Sequence, residues 1–250
     1  MANNGLFRIA LHVHVCVTGD GSVLLDLKRD KYLGLGREET EILAAVIDAW
    51  PKPSWDGAGP VQGAQERAEA LCRTLAADGV LTLNNPCCPR VSAAPAFLES
   101  VFDMKREWVS IGDEIEVEGR VTVRHVVNFA AAFLWARCNL AWRPFFSTVE
   151  AIRARKSRRG NQANDLGVLQ AAALVDVFRR LRPFVFSAEG RCLLHALTLV
   201  KFLSSYDFYP EWVIGVATRP WAAHSWVQSG NCLLDSNPEK VCRFTSIMVV

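Results

Sequence analysis

Gly190-Arg191-Cys192-Leu193-Leu194-His195-Ala196-Leu197-Thr198-Leu199-Val200, then Glu211 to Thr218, His224-Ser225-Trp226 and Asp235, set a long apolar segment ahead of several strand-like ones. From Cys192 to Leu203 only His195, Thr198 and Lys201 interrupt the apolar run, so the pattern predicts a helix packed on most sides. A cysteine in the first turn of such a helix faces the positive end of the macrodipole, which favours the thiolate. Gly190 lets the backbone approach a bound group closely.

Trp212 to Thr218 reads as a strand, Arg219-Pro220 as a break, and His224 to Gln228 as a second strand running against a third, Cys232 to Asp235. With Ser229-Gly230 as the turn, the register sets Gln228 against Asn231, Trp226 against Leu233 and His224 against Asp235. Directly opposed Cβ atoms lie about 4.5–5.5 Å apart. A helix-start thiol, a strand imidazole and a cross-strand carboxylate are the parts of a nucleophile, a base and its orienter. Taken singly, each residue is ordinary; the combination carries the expectation. His195, one turn from Cys192, is a second imidazole on the same helix face, but its rigid placement suits it less to meet an incoming acyl group.

Outward from this stretch, the chain of 250 residues is 50% apolar and 22% charged, enough to bury one large or two small cores. A net charge of +2 gives no general reason to invoke nucleic acid. One basic concentration stands out, Arg153 to Arg159, read as a solvated helix end or loop ahead of an anionic contact. The eight cysteines are scattered, without a secretory leader or CxxC pairs, as expected for reduced thiols in a cytoplasm. The longest apolar run, Val126 to Trp135, is too short to span a membrane. Val123, Val127, Ala130 and Leu134 recur at helical spacing and predict a buried helix face, with Ala130 to Ala132 allowing close packing. Leu174, Phe178 and Leu181 mark another helix before Pro183.

The first eighty-odd residues have a different texture. Leu11 to Val15, Val23 to Leu27 and Tyr32 to Leu35 predict three short strands joined by tight turns. Ile42, Leu43, Val46, Ile47 and Trp50 predict a helix from Arg37 that Pro51 and Pro53 stop, and Ala68 to Leu75 a second closed by Asp78-Gly79. The last strand is Val80 to Leu83, and Trp55 to Gly63 reads as a loop. His12, His14 and Cys16 alternate along the first strand at metal-ligand spacing, but no fourth ligand is near, and they are read as a solvent face. An exposed sheet edge of this kind accepts an extended peptide as an added strand. Asn84 to Pro89, with Cys87-Cys88, reads as a linker running to about residue 95, and Pro95 to Trp108 as a connecting helix with Phe97, Val101 and Met104 on one side.

Two resemblances follow from these residues. Val23-Leu24-Leu25-Asp26-Leu27, a short turn and Lys31-Tyr32-Leu33-Gly34-Leu35 before a helix resemble the winged-helix-like precursor-recognition domains of peptide-modifying systems, the family of the pyrroloquinoline quinone chaperone. That likeness implies leader binding by strand addition, with Lys31, Tyr32 and Leu33 as contacts. Val121 to Phe146, the basic spacer, Leu181-Arg182-Pro183, Gly190-Arg191-Cys192-Leu193, Val213-Ile214-Gly215-Val216 and His224-Ser225-Trp226-Val227 are similar to the transglutaminase-like leader peptidases of lasso-peptide biosynthesis.

The second resemblance implies a cysteine peptidase with Cys192, His224 and Asp235 in catalysis. It also implies a ribosomal precursor peptide as substrate and an ATP-dependent asparagine synthetase-like macrolactam cyclase as partner. Ser225, where alanine usually follows the histidine, and Ser204 to Asp207 depart from the pattern. The expected fold is α+β: a small winged-helix-like leader-peptide recognition domain over 1–85, a linker and connecting helix over 86–117, and over 118–250 a transglutaminase-like, papain-like cysteine peptidase domain with its central helix on an antiparallel sheet. No cofactor or metal is called for. A transglutaminase-type acyl transfer, or a non-catalytic scaffold for a cyclase, remains open beside hydrolysis.

Overall fold

A computed structural model of the chain describes residues 7–55, 64–83, 108–111, 119–159, 168–187 and 190–250. It divides into two compact units, residues 1–100 with 216–222, and residues 101–215 with 223–250. The expected linker, Cys87-Cys88, the connecting helix up to residue 107, and the loop over 56–63 lie outside the described residues.

In the first unit a three-stranded antiparallel sheet is built from β2 (Val13–Thr18), β3 (Gly21–Asp26) and β4 (Lys31–Leu35), in that order. A second pair joins β1 (Phe7–Ile9) to β5 (Leu81–Leu83). Asp26 explains the turn between β3 and β4: its Oδ1 accepts the N–H groups of Lys28 and Arg29 at 2.9 and 3.2 Å, the side-chain mimicry of a turn that aspartate favours. The helices are α1 (Arg37–Val46) and α2 (Ala64–Ala77). Val13, Val15, Leu24, Leu43, Ile47, Cys72, Leu75 and Leu81 close the core between sheet and helices.

A polar thread runs through that core. Trp50 Nε1 donates to Ser22 Oγ at 3.2 Å, Ser22 Oγ to Thr40 Oγ1 at 2.9 Å, and Thr40 Oγ1 to the Gly36 carbonyl at 2.7 Å. The face of β2 expected to meet solvent is partly interior: Cys16 is buried, and burial pushes its thiol up to about 12. β4 is an edge strand, and four of its five residues are exposed.

The second unit holds a five-stranded sheet. Its strands are β6 (Val109–Ser110), β7 (Glu211–Thr218), β8 (Trp221–Ser229), β9 (Cys232–Leu233) and β10 (Thr245–Val249), in the order β10-β7-β8-β9-β6. It is not wholly antiparallel, because β6 runs parallel to β9. The helices are α3 (Val123–Trp142), α4 (Phe145–Arg159), α5 (Val168–Leu181), α6 (Cys192–Ser204) and the short α7 (Pro238–Val241). The basic run is thus the end of a regular helix.

α6 is central as its composition requires: Ala196, Leu197, Leu199, Phe202 and Leu203 are fully buried. Phe129 of α3, Phe178 of α5 and Phe202 of α6 meet pairwise with ring centroids 5.4–6.4 Å apart, tying the three helices together. α3 turns a different face inward from the one its spacing suggested. Phe129, Ala132, Ala136 and Asn139 are buried, whereas Val123, Val127, Ala130 and Leu134 face solvent. The helix is apolar on most sides, so periodicity could not choose; the small Ala132 and Ala136 admit the close approach to α6, and the bulkier stripe is left outside.

Candidate active site

Gly190 stands at φ +67°, a left-handed conformation that a side chain resists, and it turns the chain into α6 two residues later. Arg191 is the N-cap and supplies no side-chain cap; the first intrahelical bond runs from His195 N–H to the Arg191 carbonyl at 3.0 Å. The backbone N–H groups of Cys192, Leu193 and Leu194 therefore lie ahead of the helical hydrogen-bond ladder, pointing out of the helix end. Cys192 is the first helical residue and is half-buried, so its thiol is reachable.

His195 follows one turn later on the same face. Its ring stacks on Phe178 at 5.4 Å and 9°, and it is only 7% exposed. Its pKa is lowered to about 4, chiefly by burial and further by the charges of Arg182 and Arg179 and by His224. His224 lies on β8, packed between Trp226 (6.0 Å, 23°) and Phe244 (5.3 Å, 37°). Burial, with Lys240 adding to it, lowers its pKa to about 4 as well. Both rings are neutral at pH 7, and both Nε2 atoms are buried without a hydrogen-bond partner.

The strand bearing His224 is held from beneath. Trp226 Nε1 donates to Gln228 Oε1 at 2.8 Å, and Gln228 Nε2 to Glu211 Oε2 at 3.0 Å. Ser225 points to the opposite face, where its Oγ accepts the indole N–H of fully buried Trp212 at 2.7 Å. The departure from alanine at this position thus satisfies an interior donor.

Asp235 is placed differently from its expected register. Gln228 pairs with Leu233 and Ser229 with Cys232, so the two-residue turn is Gly230-Asn231, not Ser229-Gly230. Gly230 at φ +58° occupies the first central position, the one that a type II′ turn reserves for glycine. Moving the turn by one residue moves every partner by two, and the ladder ends at Leu233 before reaching His224. Asp235 Oδ1 instead accepts the backbone N–H of Val227 at 2.9 Å. Among the described residues no hydrogen bond or ion pair joins Asp235 to His224. Burial raises its carboxyl to about 7, against the opposing pull of the Val227 N–H, Ser236 and Arg179. Arg179 also donates from Nη2 to the Leu234 carbonyl at 3.3 Å, bracing the same segment.

Cys192 and His195 thus share the first turn of α6, His224 lies on β8, and Asp235 is set on the backbone of the strand that carries His224. Lys31, Tyr32 and Leu33 lie on β4 of the other unit. Arg179 and Gln228 were not singled out in the sequence; only their burial among polar partners marks them. No group of three or more candidate metal ligands occurs among the described residues, and none of their helices is long and apolar enough to cross a membrane.

Residues 130–249 match the family model of the transglutaminase-like superfamily and form a domain of that superfamily. It covers cysteine peptidase and acyl-transfer activities. No curated protein and no solved structure matches the chain.

Proposed function

We propose that the second unit is a cysteine peptidase that removes the leader from a ribosomally made precursor during lasso-peptide biosynthesis. The observations that support the chemistry are the half-buried thiol at the start of α6 and the buried, neutral imidazole of His224, whose Nε2 has no hydrogen-bond partner. In this reading His224 takes the Cys192 proton, and the thiolate attacks the scissile carbonyl. The uncapped N–H groups at the helix start receive the oxyanion. The imidazolium protonates the departing amine, and a water deprotonated by His224 then releases the acyl group and restores the thiol.

Asp235 acts as a positioning residue: it holds the Val227 amide and with it the strand that aims His224. Leader capture belongs to the first unit, where the exposed edge strand β4 offers Lys31, Tyr32 and Leu33 to an added strand. Having both functions on one chain raises the effective concentration of the cleavage site. A macrolactam cyclase of the asparagine synthetase-like kind then receives the freed core peptide.

The test is mass spectrometry of the precursor after incubation with the full chain. Free leader and core are expected from the native protein and neither from Cys192→Ala, with circular dichroism confirming that the variant folds. A product in which the leader-bearing acyl group is joined to an added amine would instead establish acyl transfer. Undiminished processing by the alanine variant would exclude Cys192 chemistry and leave a binding role.

A further inference from the structure

The basic run at the end of α4 is not used by the chemistry above, and two of its residues border a small cavity. Lys156 and Arg155 of α4, Lys201 and Ser204 of α6, Trp135 of α3 and Tyr209 line a cavity of about 110 Å³. Lys201 Nζ lies 5.7 Å from the centroid of the Trp135 ring, which holds the ammonium by a cation–π contact. Lys156 is half-buried, and burial lowers its pKa from 10.5, with Glu211 pulling the other way; burial and Arg155 lower that of Lys201. Three cationic side chains thus border one cavity, Arg155 from an exposed position, and none of them is in an ion pair among the described residues. Glu211 is the carboxylate that acts on Lys156; it accepts from Gln228 Nε2 at 3.0 Å, and burial outweighs its pull on the ammonium.

Drawing lysine ammonium groups out of water is costly where the nearby counter-charge does not offset it, and a bound anion would lower that cost. The volume narrows the ligand. Pockets for whole drug-sized molecules run to about 300–1,000 Å³, so this one suits a single anionic group.

We infer that this cavity is an oxyanion-binding site in which Lys156, Lys201 and Arg155 hold one phosphate or carboxylate group. Trp135 and the buried Tyr209 form its walls. Lys201 is nine residues from Cys192 on the same helix, roughly 13 Å along its axis, so the ligand does not touch the thiol. The site is separate from the peptidase reading and stands or falls without it.

Thermal unfolding of the full chain tests it, with sodium phosphate, sodium acetate and sodium chloride compared at matched ionic strength. Phosphate is expected to raise the midpoint saturably, by about 4 °C at ten times its dissociation constant. Lys156→Met and Lys201→Met are each expected to weaken binding at least tenfold, while Lys156→Arg keeps most of it. Tighter binding of phosphate than acetate identifies a phosphate ligand and the reverse order a carboxylate; either supports the site. Equal responses to all three salts, or unchanged phosphate affinity in the methionine variants, would overturn it. Ligand-free midpoints report whether each variant folds, and if one does not, the other lysine carries the test.

Discussion

At Ser225 a hydroxyl one residue from the proposed base has a purely interior task. Removing it leaves the Trp212 indole N–H buried without an acceptor, a loss of about 1–3 kcal/mol. Ser225→Ala is therefore expected to lower the urea midpoint measurably while leaving His224 in place, and denaturation followed by tryptophan fluorescence reads it. Asp235 poses the sharper question. If its work is to accept the Val227 N–H, asparagine keeps the acceptor and alanine does not. Asp235→Asn is then expected to stay within about tenfold of the native kcat/KM, with Asp235→Ala well below it. A carboxylate that held the imidazole directly would cost about 10⁴ on conversion to the amide. Steady-state cleavage by the two variants, compared side by side, separates these roles.

Among the elements, the strand that carries His224 depends on a glycine below it. A Cβ on Gly215 of β7 would stand 2.7 Å from Trp226 Cζ3 and 2.9 Å from Phe244 Cβ, and Trp226 is fully buried with no room to retreat. Gly215→Ala is expected to cost about 1–3 kcal/mol by overpacking. It should lower kcat as well, since Trp226 and Phe244 are the rings against His224; a variant that loses stability but keeps full kcat would show that the imidazole is not held by them.

The elements themselves were largely legible. Helix α6, strand β7 and the hairpin after it follow from apolar runs broken by Pro and Gly. What failed was the register, because Ser-Gly and Gly-Asn are both acceptable turns in the sequence, and only the pairing of Ser229 with Cys232 and Gln228 with Leu233 selects the second. The inward face of α3 failed for a related reason: an all-round apolar helix carries no phase. The helix-start thiol and the strand histidine could be read, whereas the partner of Asp235, a backbone amide, has no side-chain signature at all.

On the scale of the whole chain, the residues cluster into two compact units, and the segment 216–222 groups with the first of them, which no composition shift announces. The titratable groups of the candidate site also set how the molecule as a whole answers acid. His195 and His224 titrate near 4 in the fold against about 6.5 unfolded, so between these values the unfolded chain binds two protons that the folded chain refuses. Asp235 has the opposite sign: near 7 in the fold against 3.8 unfolded, it keeps in that interval a proton that unfolding releases. Unfolding thus takes up one net proton at these sites, and stability falls as pH drops from 6.5 toward 4, by about 3 kcal/mol in all. Urea titrations at pH 6.5, 5.5 and 4.5 are expected to show that decline. His195→Gln removes one of the two uptakes, balances the remaining imidazole against Asp235, and should leave the same titrations nearly level; a variant as acid-sensitive as the native chain would mean that His195 is not held neutral in the fold.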